Sequence, residues 1–117
     1  MHVIITARHC DIPDQLRSLI EERFAALTRF EPRASRAEVA VTGRKNGFEA
    51  EAVVSVDRSE RVHGRAEESE MRMAIDRLVQ KVSVQLRRRH GRRRDHRAPP
   101  MDELFGDPST VSEADEP

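Results

Sequence analysis

The chain has 117 residues, one cysteine, no tryptophan or tyrosine, and 21 basic residues balanced by 21 acidic ones. That length suits one domain with room for a single unpacked end. A lone thiol cannot close an internal disulfide, and no apolar run is long enough for a membrane span or a signal-peptide core, so a reducing, cytoplasmic setting away from membranes is expected.

His2 to Arg8 is rich in β-branched residues without helical spacing and reads as a first strand. Asp11-Ile-Pro-Asp14 opens a helix, with acids on both sides of a proline that a first turn tolerates. Leu16, Leu19, Ile20, Phe24 and Leu27 then trace one apolar face to about Phe30, while Arg17, Glu21, Glu22, Arg23 and Arg29 lie off it. Pro32 ends that helix, and residues 33–36 form a loop.

Glu38 to Thr42 alternates with Val39 and Val41 on one side, and Phe48 to Val56 alternates with Ala50, Ala52, Val54 and Val56 inward and Glu49, Glu51 and Ser55 outward. Between them, Gly43 to Gly47 is a hairpin turn whose Asn-Gly pair accepts positive φ. Asp57 to Glu60 is a second turn. Arg61 to Glu67 alternates again, with Val62, Gly64 and Ala66 inward and His63 and Arg65 outward.

A second, longer helix follows. Met71, Ile75, Leu78, Val82 and Leu86 recur at spacings of four, three, four and four, which places them on one helical face. Ser69 is its expected N-cap, with the charge of Glu70 on the first turn where the helix dipole favours it. Arg87, Arg88 and Arg89 occupy the last turn, and Gly91 is the expected stop. Ala98-Pro-Pro100 breaks regular structure, and the acidic remainder is too poor in apolar residues to fold alone.

The resulting order is β-α-β-β-β-α. A helical crossover makes the first two strands parallel, and tight turns make the rest antiparallel. Each helix has one apolar stripe and the sheet has one apolar face. The expected fold is therefore α+β, a two-layer sandwich of a four-stranded sheet with both helices on one face. The folded domain is expected over residues 1–92, followed by a disordered tail over 93–117 that is first basic and then acidic.

Neutral overall charge conceals strong segregation. Residues 1–86 carry 14 basic and 14 acidic residues, 87–97 carry seven arginines and one aspartate, and 98–117 carry six acids and no base. Arginine is the fork-shaped donor suited to phosphate. At about 100° per residue, Arg77, Lys81 and Arg88 fall in one stripe beside the apolar face of the second helix. This band points to nucleic acid. With so few aromatics, stacking on unpaired bases is disfavoured, and contacts with phosphates and the shape of folded RNA are favoured.

No catalytic constellation competes with that reading. His9-Cys10-Asp11 are sequence neighbours at a strand end, whose side chains diverge, whereas an activated thiolate needs its base to converge on it. His90 and His96 lie among arginines that repel a cation, and no cysteine or carboxylate set has metal-ligand spacing. The chain carries no phosphate-cradling glycine loop and no nucleophile elbow. No enzyme, cofactor, metal or small-molecule substrate is expected.

The element order, the segment DIPDQLRSLIEERFAAL, the Asn-Gly hairpin, and above all Ala66-Glu67 followed by Met71, Ala74-Ile75-Asp76, Leu78, Lys81 and Leu86 resemble the ribosome hibernation-promoting factor family, which includes the ribosome-associated translation inhibitor. The similarity spans roughly residues 1–90 and the short form of that family. It implies a fold like that of double-stranded-RNA-binding domains, and a monomer that binds the small ribosomal subunit and its ribosomal RNA. The implied site is the channel of messenger RNA and the A- and P-site transfer RNAs, blocked during stress or stationary phase. The resemblance carries RNA contact to Arg23 on the first helix and to Lys81, Arg87 and Arg88 on the second, with Arg89, Arg92 and the hairpin pair Arg44 and Lys45 as weaker transfers, and Arg77 joins them as a candidate from the stripe. Arg72 stands where the family commonly has an aromatic residue, and Pro13 where it often has a hydroxyl N-cap. The alternatives are a general double-stranded RNA or DNA binder and an arginine-rich module for an acidic protein partner.

Overall fold

A computed structural model describes residues 1–56 and 60–94, the last five through their backbone only. Alternating apolar residues place β1 (His2–Arg8), β2 (Arg36–Arg44), β3 (Gly47–Ser55) and β4 (Arg61–Glu68) in one sheet of order β1-β2-β3-β4. The β1–β2 pair is parallel and the other two are antiparallel, as the crossover and turns require. The register aligns inward residues in rows: Ile5, Val39, Ala52 and Gly64 form one, and Ala7, Val41, Ala50 and Ala66 the next.

Both helices cover this face. α1 (Asp14–Ala26) lies nearest β1, and α2 (Met71–Arg94) lies over β3 and β4. Ile20 and Phe24 of α1 and Ile75, Leu78, Val82 and Leu86 of α2 are completely buried against the sheet. Each such side chain contributes about 1.5–3 kcal/mol on leaving water. Small residues at the centre of the sheet let α2 approach closely. A Cβ at Gly64 would meet Val82 Cγ2 at 2.8 Å, so glycine there sets the depth at which the helix sits.

Several local expectations shift. Pro13 is the N-cap of α1 rather than its first residue, and its carbonyl accepts from Leu16 and Arg17 at 2.9 and 3.0 Å. The α1 segment does not continue as α-helix to Phe30. It tightens into a 3-10 turn over Leu27–Arg29, which keeps Leu27 buried while the chain heads for β2. β2 starts at Arg36, within the expected loop. α2 begins at Met71, so Glu70 rather than Ser69 occupies the cap, its carbonyl accepting from Ala74 at 3.0 Å.

The hairpin also departs from expectation. Arg44 pairs with Gly47 across a two-residue turn, and of the Asn-Gly pair only Gly47 takes positive φ, at 159°. Gly47 is required by crowding, since a Cβ there would lie 2.5 Å from the Glu68 carbonyl oxygen. Gly91 does not end α2, which continues to Arg94. A single helical glycine costs only about 1 kcal/mol, and the surrounding arginines are good helix formers favoured by the dipole at a C-terminus. The acidic segment expected after Arg97 lies outside the described residues.

Candidate nucleic-acid interface

α2 carries nine basic residues and a single acid, Asp76. Leu86 is its last fully buried position among the described side chains. The helix continues for eight residues beyond it, about 12 Å, through the arginine-rich part of the sequence. The sandwich thus presents one long cationic helix across its helical face.

The cations of α2 fall on two flanks, with the expected stripe kept together on one of them. Arg77, Lys81 and Arg88 lie toward β4. Arg77 Nη1 meets Glu68 Oε2 at 3.2 Å, and Lys81 Nζ donates to the Arg65 carbonyl at 2.9 Å. Gln85 Nε2 donates to the His63 carbonyl at 2.8 Å. Lys81 and Gln85 thereby satisfy backbone oxygens along β4, one of the two edge strands, and blunt its capacity to pair with another strand. Lys81 keeps two further ammonium donors.

The other flank faces α1. Arg23 Nη1 donates to Asp76 Oδ1 at 3.3 Å, and Arg72 Nε lies 3.7 Å from Asp76 Oδ2. Farther along, the Arg87 guanidinium sits over the Phe30 ring at 5.1 Å, with that of Arg29 at 5.6 Å. Arg23 meets Asp76 while Phe30 meets Arg87, so α1 and α2 run in the same direction with a shallow cationic groove between them. Such cation–π contacts hold a guanidinium against an apolar wall while leaving its donors to outside partners.

Three of the expected residues sit elsewhere. Arg89 turns toward the core end and meets Glu60 at 3.0 Å. Arg44 lies on the opposite face of the sheet, bonded to Glu49, which also receives Arg65 at 2.5 Å. The expected outward Glu49 is outward but sealed beneath these two guanidiniums. The Arg44 hydrogen bond, outweighing burial, holds the Glu49 carboxyl below the usual carboxylate range and raises the Arg44 guanidinium in return. Lys45 is exposed at the hairpin tip, between the paired Arg44 and Gly47. Arg92 lies within α2, its side chain outside the described residues.

Sequence reasoning missed Asp76 as the shared partner of Arg23 and Arg72. The four-residue spacing of Arg72 and Asp76 was a readable signal, but the contact with Arg23, 53 positions away, depends on how the helices cross. The Cys10 thiol points to the Val41 carbonyl at 3.5 Å. Among the described residues, no group of three or more His, Cys, Asp or Glu side chains could hold a metal, and no helix is long and apolar enough to cross a membrane.

A family model described as Sigma 54 modulation protein / S30EA ribosomal protein matches residues 3–94. The ribosome hibernation promoting factor of Azotobacter vinelandii is 35% identical over 86 residues, covering 74% of this chain and 79% of the relative. That of Salmonella typhimurium is 29% identical over 96 residues, covering 82% and 100%. The N-terminal domain of Thermus thermophilus Protein Y has the same fold, with a TM-score of 0.68 and 26% identity over 75% of this chain and 98% of that one. A ribosomal subunit interface protein from Coxiella burnetii also shares the fold, at a TM-score of 0.68 over 78% and 99% and 24% identity. The motifs of the second helix and the β-α-β-β-β-α order thus have one explanation: the chain belongs to the Sigma 54 modulation protein / S30EA ribosomal protein family, that of the ribosome hibernation promoting factors.

Proposed function

We propose that this protein is a ribosome-associated translation inhibitor that binds the small ribosomal subunit through its ribosomal RNA. It occupies the channel of messenger RNA and the A- and P-site transfer RNAs, and it acts by exclusion during stress or stationary phase. The observation that carries this reading is α2, with nine bases to one acid and two turns of helix following its last fully buried described residue, Leu86. A rigid helix of fixed charges reads the phosphate pattern of folded RNA without having to order itself on binding. The relatives named as ribosome hibernation promoting factors support the ribosome as the partner.

Arg23 and Arg87 in the groove, and Arg77, Lys81 and Arg88 on the β4 flank, are the proposed phosphate contacts. Arg89, turned toward Glu60 with only 21% of its side chain exposed, and Arg44, on the opposite face of the sheet, contribute less. The test is sedimentation with purified small subunits, repeated with messenger RNA and initiator transfer RNA in excess. Co-sedimentation relieved by those competitors is expected. Binding that ignores them would instead support a general double-stranded RNA binder.

A further inference from the structure

Asp76 is the sole acid on a helix otherwise suited to bind polyanions, and it lies between cations of both helices. Counted as charge alone it weakens RNA binding. Its geometry indicates the reverse. One carboxylate oxygen takes Arg23 of α1 and the other faces Arg72, one helical turn earlier on α2. We propose that Asp76 is a positioning residue that holds Arg23 and Arg72 side by side as a two-guanidinium receptor for one backbone phosphate of RNA. This inference rests on the RNA-binding reading above and deepens it.

The donors left over make the case. Arg23 spends Nη1 on Asp76 and retains Nη2 and Nε. Arg72 faces Asp76 with Nε and retains its terminal Nη pair, the edge that grips two phosphate oxygens at once. Both side chains and the carboxylate are about half exposed, with side-chain accessibilities of 42%, 59% and 44%, so the remaining donors can reach a ligand. Unheld, a surface arginine surrenders its rotamer freedom on binding. Here the cost is partly met in the free protein, as the Phe30 ring does for Arg87 at the other end of the groove. A phosphate diester bears one negative charge, which the two guanidiniums can take beside Asp76 with no excess of anion.

The test turns on a sign. Small-subunit affinity and melting temperature are measured for the full chain and for Asp76→Asn, each in the native background and with Arg23→Ala and Arg72→Ala combined. In the native background Asp76→Asn is expected to weaken binding by about threefold to tenfold, the cost of ordering freed side chains. In the double-alanine background nothing is left to position, and the same substitution is expected to leave affinity unchanged or tighten it. Melting temperatures are expected to stay close together, because half-exposed pairs add little stability. Tightening or no change in the native background would overturn the proposal, as would native affinity in the double-alanine protein. A native chain that fails to bind small subunits at all would overturn the functional reading itself, a result distinct from either.

Discussion

The two faces of the sheet carry similar residues to opposite effect. On the open face, several polar and charged side chains are answered across or along the strands: Arg36 by Glu38 at 3.1 Å, His63 by Glu51 at 2.8 Å, and Arg65 by Glu49 and Glu67 at 2.5 and 3.1 Å. Ile4, Ala40 and Val53 lie half-buried among them. On the helical face, α2 sets nine bases against one acid. The number of arginines therefore says little about where an anion binds. The excess over local carboxylates, on a rigid element, says more.

The largest expected effect comes from reversing that excess. Changing Lys81, Arg87 and Arg88 to Glu is expected to weaken small-subunit binding by about a thousandfold or more, since each charged contact is worth about 1.5–3 kcal/mol. Melting is expected to fall only slightly, because the Lys81 hydrogen bond and the Arg87 ring contact lie at the surface. Binding that survives would move the interface off α2.

Next in size is the wall between the faces. Leu78 is completely buried between α2 and the sheet, and Leu78→Ala is expected to cost about 2–5 kcal/mol of stability in denaturant unfolding. Affinity of the remaining folded protein is expected to be unchanged. A loss of affinity per folded molecule would show that groove geometry depends on core packing more finely than the comparison allows.

The smallest effect belongs to the open face. Glu49 titrates below the usual carboxylate range because Arg44 bonds to its ionised form. Its folded value lies below its unfolded one, so its stabilising contribution is complete above the ordinary carboxylate range and is lost as pH falls through the folded value. Glu49→Gln is expected to flatten the acid limb of stability against pH and to leave RNA binding alone. An unaltered acid limb would mean that the sealed pair adds nothing to folding.

Most of this architecture could be read from residue order. β1 occupies the expected His2–Arg8, and the inward rows through Val39, Ala52 and Gly64 follow from period-two alternation, because a strand has only two sides. The apolar stripe of α2 was equally legible. Ends were less so, since capping at Glu70 and continuation through Gly91 turn on differences of about 1 kcal/mol that neighbouring packing and charge decide. The site was legible in charge but not in arrangement. Arg89 and Arg88 are adjacent in sequence, yet the helical turn between them directs Arg89 to Glu60 and leaves Arg88 exposed on the β4 flank. Pairings such as Arg23 with Asp76 exist only once two helices have been laid on one sheet.

The contrast between the faces is tested most directly by the salt dependence of small-subunit affinity, measured for the native chain and for Arg36→Glu on the open face. If the helical face neutralises about six phosphates, log affinity against log salt is expected to fall with a slope of about −4 to −5. Arg36→Glu is expected to keep that slope, because its site lies across the sheet from the contacts and ordinary salt screens beyond about 10 Å. A slope near zero, or one made much shallower by Arg36→Glu, would contradict the assignment of RNA binding to the uncompensated charge of α2.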